Sequence, residues 1–376
     1  MLGVSLLPLI ALLVRGVGWG ADSFAFYSVA CGNTQYASNL SSNFFSGFLS
    51  LIGCNFVLTS FVQWFFYAIA LFSLWEISKK VLGEHAWLLP VYVGTLTPLF
   101  FIEGLRFEND LFGWSLMLVA LAVMYRGIQL KSPYRWLMLV LSSVIGLISY
   151  NAWSGSIILV PIAVILTDLK LRDKQIIIIS LGIAFVLLNL GYILGSFNFD
   201  LATMVSEEIP LLGLVFILPI LHYWNKIPQP FFIYGLGLLV LGCLKSKYMF
   251  LVTPFLVMAL ILKEKREGLW LKDLKIEPML FVAIFSISFI IMPLNMYPTS
   301  SDIQEMELLI SYYNDNNIPI YNDWGDGWTF IYLGYDTNYK SSPPQPDWNN
   351  LTPPFYVYTR QEIDCEKLNK NTYLCS

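Results

Sequence analysis

The chain has 376 residues, of which 56% are hydrophobic and only 13% charged, and its mean hydropathy is +0.62. That balance is far from a soluble globular average and characteristic of a chain that crosses a bilayer many times, so counting soluble domains by length does not apply. A net charge of -4 with no block of basic residues excludes the electrostatic footprint of a nucleic-acid-binding protein.

Apolar runs of roughly 16 to 22 residues recur, each able to span about 30 Å of hydrocarbon as a helix. They predict eleven spans, over about 3–19, 56–76, 87–103, 111–126, 136–152, 154–168, 175–194, 209–224, 229–245, 248–263 and 277–296. The first run also has the length of a signal peptide, but Arg15 lies inside it and no Ala-x-Ala-like cleavage site follows, so it is read as a span. Between the first two spans, residues 20–55 form a loop rich in Ser, Asn, Phe and Gly, in which "SSNFFSGFLSLIG" predicts an amphipathic helix suited to the membrane interface, as a lid or lateral gate.

Lys and Arg alternate among the remaining loops. Lys79, Lys80, Arg126, Lys131, Arg135, Lys170, Arg172, Lys174, Lys226 and the basic run from Lys263 to Lys275 mark one side, which the enrichment of cytoplasmic loops in basic residues makes the inner one. The N-terminus is then cytoplasmic, and the chain is expected to be a multi-pass protein of a prokaryotic cell membrane with everything after Tyr297 outside. From Pro298 the composition shifts to Asp, Asn, Pro and Tyr. There "SSDIQEMELLISYYNDNN" predicts a short amphipathic helix, and "IPIYNDW", "WTFIYLG" and "FYVYT" predict strands. The expected organisation is a transmembrane domain over 1–297 and a small extracytoplasmic α/β appendage over 298–376. Cys365 and Cys375 lie in the appendage on the oxidising side and are a candidate disulfide; Cys31 and Cys54 are a second candidate pair, and Cys243 reads as a buried thiol. Two Asn-x-Ser/Thr triplets, at Asn39 and Asn350, fall outside.

Acidic residues at the membrane ends gather on the outer face: Asp22, Glu103, Glu108, Asp110, Asp200, Glu207 and Glu208. Ionisable groups at that boundary are costly unless paired, metal-bound or facing water, and so are functional candidates. In "FEND", Glu108 and Asp110 are two apart; in an extended loop they point the same way, and they open a helix whose dipole favours anions. With Asp22 and Glu207 they offer only carboxylate oxygens, the donor set of a hard divalent cation such as Mg²⁺ or Mn²⁺. Such an ion neutralises a leaving phosphate as a Lewis acid, and a carboxylate off the metal acts as base. Each motif also has a plainer reading. Asp22 and "FEND" are then solvated interface acids, "VSEE" an N-cap around Ser206, "NDWGDGW" a glycine turn between strands, and Lys245 and Lys247 snorkelling side chains.

The order of these motifs resembles the polyprenyl-phosphate-sugar-dependent GT-C glycosyltransferases, and within them the catalytic subunit of oligosaccharyltransferases. The family's first-loop Asp matches Asp22 in "GADSFAF", its DxD-like motif matches "FEND", its SVSE or TIXE motif matches "MVSEEIP" with Glu207, and "NDWGDGW" is a looser counterpart of WWDYG. "KSKYMFLVTPF" looks like the basic segment that opens a late span there. The resemblance implies catalytic roles for Asp22, Asp110 and Glu207, and a metal on Asp22, Glu108, Asp110 and Glu207. It also implies a donor phosphate on Lys245, Lys247 and Arg106, and an acceptor on Trp324, Asp326 and Trp328. The chain departs from the oligosaccharyltransferase pattern in having about half the length and fewer spans, in lacking a large C-terminal domain, and in carrying Gly325 and Gly327 where the motif has Trp and Tyr.

The expected function is therefore transfer of a sugar or oligosaccharide from a polyprenyl (pyro)phosphate in the membrane lipid to an extracytoplasmic protein or glycan acceptor, asparagine included. A mannose-type monosaccharide transferase is the nearest alternative. A lipid or sugar transporter is the alternative of another class; it calls for ionisable residues near the bilayer midplane, whereas here they lie at the span ends.

Overall fold

The computed structural model describes residues 2–15, 21–32, 43–96, 101, 104–153, 175–176, 179, 183, 298–322, 326–335 and 351–376. Expected spans from 154–168 through 277–296 lie outside the described residues, save four positions of 175–194. So do Glu103, Glu207, Lys245, Lys247, Trp324, Cys243 and the asparagines of both glycosylation triplets, Asn39 and Asn350. The described residues are mostly helical: α1 Leu2–Arg15, α2 Ala21–Ala30, α3 Asn43–Ile52, α4 Phe56–Leu82, a 3-10 turn Gly83–Trp87, α5 Leu88–Leu96, α6 Asn109–Gln129 and α7 Tyr134–Ala152. Three of these are long and apolar enough to cross a membrane, over Phe56–Lys79, Asn109–Gly127 and Tyr134–Ala152. At 1.5 Å per residue each is about 30 Å or more in length. Of the span expected over 87–103, the structure describes Trp87 at the end of the 3-10 turn, the nine-residue α5 and residue 101.

Internal contacts group the chain into two units that no single cut separates: residues 1–8, 64–104 and 109–294 in one, 9–63, 105–108 and 295–376 in the other. In the first unit the best-defined packing is the α6–α7 hairpin, joined by the turn at Leu130–Pro133. Small residues recur every seven positions on α6, at Gly113, Ala120 and Gly127. A Cβ on Gly127 would stand 2.8 Å from Cβ of Met138, and one on Gly113 would overlap Trp153. With no side chain in the way, hydroxyls of α7 reach the backbone of α6: Ser142 Oγ donates to the Ala120 carbonyl at 2.7 Å and Ser149 Oγ to the Gly113 carbonyl at 2.6 Å. This is how helices associate in an apolar solvent, where no hydrophobic drive exists between them and close backbone approach supplies the energy. On α7, Trp136, Leu137, Val140 and Leu147 remain exposed.

A second polar contact of that unit lies near the C-terminal end of α6, where the half-buried Glu76 carboxylate accepts from Arg126 at 2.8 Å and from Lys79 at 2.6 Å. Both cations are solvent-exposed, so the contact is a surface ion pair of modest worth.

In the second unit, the tail begins with α8, Ser300–Asn316. Thr299 caps it: its hydroxyl accepts from the Asp302 amide at 3.2 Å, while Asp302 Oδ2 accepts from the Thr299 amide at 2.8 Å. That reciprocal pair satisfies two donors that the first turn would otherwise leave open. Asn317 closes the helix in the left-handed conformation, φ 54°. Met306 and Leu309 then pack against Ile320, Phe330, Tyr356 and Tyr358. The sheet consists of β1 Ile320–Asn322, β2 Phe355–Tyr358, β3 Glu366–Lys367 and β4 Thr372–Cys375 in the order β1-β2-β4-β3. β1 runs parallel to β2, and the other pairs are antiparallel.

One sequence expectation for the tail is overturned. "WTFIYLG" is not a strand, because Asp326–Tyr332 forms a helix, α9, and a turn follows at Leu333–Gly334. Its alternating apolar residues suggest a strand, but Asp326 favours a helix start and the buried faces at Phe330 and Ile331 are those of a short helix. Both expected disulfides are present, Cys31–Cys54 with a Cα separation of 4.2 Å and Cys365–Cys375 with 4.8 Å. The latter staples β3 to β4 one position beyond the Glu366–Leu374 pair.

Candidate functional site

The site is built on α2. Its sequence, "ADSFAFYSVA", is apolar on nearly every side, and from Ser23 to Ala30 every residue is buried. Such a helix needs partners all round, and within its unit it packs against α3 and α9. Asp22 is its second residue, in the first turn; the Asp22 side chain lies outside the described ones.

The segment 105–108 is anchored to this helix by Ser23 and Tyr27. The Phe107 amide donates to Ser23 Oγ at 3.0 Å, with both residues fully buried. The Phe107 ring stacks on Tyr27, centroids 4.8 Å apart and planes 11° from parallel. Tyr27 also meets Phe56 at 6.1 Å and Tyr332 of α9 at 5.9 Å, and Phe24 meets Tyr332 edge-on at 5.5 Å. Five aromatic rings from α2, α4, the 105–108 segment and α9 thus form one cluster. Each aromatic pair contributes on the order of 1 kcal/mol beyond its buried area. Burial raises the Tyr27 phenol above its ordinary range, and the neighbouring Tyr332 adds to the shift. Tyr27 is therefore neutral at physiological pH and cannot serve as an anionic base. Its hydroxyl has no hydrogen-bond partner among the described residues.

The 105–108 segment carries two residues expected in the site. Arg106 Nε stands 3.9 Å from Glu108 Oε1; the Arg106 side chain is 27% exposed and that of Glu108 only 5%. The carboxylate is held inside, and Arg106 Nε is buried beside it although the side chain as a whole is partly exposed. Glu108 and Asp110 stand at the start of a helix as the sequence suggests, but they do not share an extended loop. Asn109 already begins α6, so Glu108 precedes the helix and Asp110 lies in its first turn, where its charge meets the positive end of the helix dipole. Asp110 is buried, 4% exposed, and belongs to the first unit.

The tail motif contributes α9. Asp326 opens this helix, 2% exposed, and accepts from Arg360 Nη2 at 3.4 Å. Arg360, just beyond β2, keeps its side chain 52% exposed. Trp328 lies on α9, with its side chain outside the described ones. Within the second unit, then, the structure brings together the helix that carries Asp22, the segment that carries Arg106 and Glu108, and the helix that carries Asp326 and Trp328. Sequence reasoning passed over Ser23, Tyr27, Phe107, Tyr332 and Arg360. The available signal was three polar residues, Ser23, Tyr27 and Ser28, inside an otherwise apolar stretch.

Among the described residues, no group of three or more His, Cys, Asp or Glu side chains is arranged to hold a metal ion. Of the four expected ligands, Glu207 and the Asp22 side chain lie outside that search. The donor chemistry of the four fits a hard divalent cation, since all are carboxylates. At Glu108 such an ion would compete with the Arg106 guanidinium.

Comparison with protein-family models, with curated proteins and with solved structures finds no match for this chain.

Proposed function

We propose that the chain is a multi-pass membrane glycosyltransferase that moves a sugar or oligosaccharide from a polyprenyl (pyro)phosphate to an acceptor outside the cytoplasm, in the manner of an oligosaccharyltransferase catalytic subunit. In this reading eleven helices span the membrane, the N-terminus is cytoplasmic, and the tail from Pro298 is outside.

The observation that supports it most is the joining, in one contact unit, of the segments that carry three of the four motifs: "ADSFAF", "FEND" up to Glu108, and the "DGW" part of the tail motif. These are separated in sequence by about 85 and 220 residues. A chain with ordinary interface acids has no need to collect them on one aromatic cluster. The division of labour follows from the residues. Asp22, Glu108, Asp110 and Glu207 would hold Mg²⁺ or Mn²⁺, which when bound supplies positive charge to the departing phosphate. Arg106, Lys245 and Lys247 would bind the donor phosphate, Arg106 being suited to it by a fixed fork of donors. Asp326 with Trp324 and Trp328 would line the acceptor.

The test is transfer of label by the purified protein from a polyprenyl-linked donor to a sequon peptide or to a glycan acceptor, with the released lipid product identified. Asp110→Asn and Asp22→Asn should each lower the rate at least about 10²-fold, the effect of losing one well-placed electrostatic group. Glu103→Gln should leave it nearly unchanged. Full transfer in the Asp110→Asn protein with divalent ions chelated would make these carboxylates ordinary interface residues. Movement of donor across a vesicle bilayer without transfer would favour transport instead.

A further inference from the structure

The disulfides Cys31–Cys54 and Cys365–Cys375 stand in different surroundings. Cys375 is 6% exposed and shares a cluster with Phe355, Val357 and Tyr373, against which Cys365 also packs. The segments that this bond joins are paired besides as strands, Glu366 with Leu374 and Lys367 with Tyr373, so the ladder holds them together without it. Cys31 and Cys54 are both exposed. Cys31 follows the last residue of α2, its amide donating to the Tyr27 carbonyl at 2.9 Å, and Cys54 lies in the turn Gly53–Asn55 between α3 and α4. This second bond therefore ties α3 to the end of α2, where no strand ladder joins them. α3 is ten residues long, too short to be stable alone in water. It packs on α2, but of its residues 47–52 only Leu49 and Ile52 are buried, and Leu51 is 85% exposed. The covalent bond thus carries a large share of what keeps α3 in place.

We propose that Cys31–Cys54 is a redox latch, opened by a dithiol reductant so that α3 is released from α2, whereas Cys365–Cys375 is purely structural. Exchange needs a thiolate to reach a sulfur, and exposed disulfides are the labile ones for that reason. One thiolate of the reductant attacks Sγ of either cysteine, the S–S bond breaks, and the other cysteine leaves as a thiolate that takes up a proton. The second thiolate of the reductant then attacks the mixed disulfide and frees the remaining cysteine. Two electrons pass to the protein, and the dithiol becomes a disulfide. Because α2 carries the candidate site and α3 is one of its packing partners, the latch governs how completely α2 is covered. The inference stands whether or not the chain transfers sugars.

The test uses the full chain in nanodiscs, with free thiol first blocked by N-ethylmaleimide. Dithiothreitol is then added, and newly freed cysteines are alkylated and located by mass spectrometry. Cys31–Cys54 should be reduced at least about tenfold faster than Cys365–Cys375. In the chain so reduced, amides of 43–52 should exchange with deuterium at least about tenfold faster, those of 355–375 should be unchanged, and reoxidation should restore slow exchange. The double variant Cys31→Ser, Cys54→Ser should show the fast exchange without reductant, and the double variant Cys365→Ser, Cys375→Ser should not. The proposal is overturned if Cys365–Cys375 is reduced as fast or faster, or if exchange over 43–52 is unchanged in the wild-type chain once Cys31–Cys54 is open.

Discussion

Ser23→Ala tests whether the 105–108 segment is held where the candidate site needs it. The Phe107 amide donates 3.0 Å to Ser23 Oγ, and both residues are fully buried. Deleting the hydroxyl removes the acceptor without supplying water in its place, at a cost of about 1–3 kcal/mol. The middle of that range corresponds to roughly a thirtyfold shift between anchored and released segment. Hydrogen exchange at the Phe107 amide reads the opening directly, so the peptide containing it should exchange about 5- to 150-fold faster in the variant. Ser28→Ala on the same helix is the control. Ser28 is equally buried, but its hydroxyl only donates to the Phe24 carbonyl one turn earlier, at 2.9 Å, a bond that supplements the helix rather than replacing part of it. Its loss should change exchange at Phe107 by less than about twofold. Unchanged exchange in Ser23→Ala, or equal acceleration in both variants, would refute the anchoring argument.

Tyr27→Phe should keep the stack on Phe107 and remove a buried hydroxyl that lacks a partner among the described residues, so thermal stability at pH 7 should be unchanged or higher. The folded-state phenol is raised above its unfolded value near pH 10, so its contribution to stability is complete below that pH and is lost as pH rises further; the wild type should lose stability above pH 10 more steeply than Tyr27→Phe, as thermal midpoints across that range will show. Breaking Cys365–Cys375, which closes a separation of 10 residues, should cost about 2–3 kcal/mol, and Cys31–Cys54, closing 23, about 3–4 kcal/mol, measured by denaturant unfolding of Cys→Ser variants. Non-reducing mass spectrometry should show both linked peptides. For orientation, Glu362→Cys, exposed in the tail, should react with an impermeant thiol reagent in intact cells, and Lys131→Cys, exposed in the α6–α7 turn, only after the membrane is opened; the reverse pattern would invert the topology.

Membrane character was legible in the sequence because run length and apolar content are local properties. The helices over Phe56–Lys79, Asn109–Gly127 and Tyr134–Ala152 stand close to their expected positions for that reason. The helix beginning near Ser300 was legible too, and both disulfides match pairs of cysteines that the sequence places in the same expected loop or tail. Helix α9 was misread because a seven-residue segment carries too few turns for its periodicity to separate helix from strand, and burial on several sides then decides. Anchoring of the candidate site belongs entirely to tertiary structure. Ser23 looks like any small polar residue until a backbone amide 84 positions away is seen to donate to it. Tyr27 is one of 21 tyrosines until its ring is found between Phe107 and Tyr332. Composition specifies which residues must leave water, but not which of the many apolar surfaces they will meet. That choice is made by shape and by the few buried polar groups that must find partners, and it is why the motifs could be read in the sequence while the residues that hold them together could not.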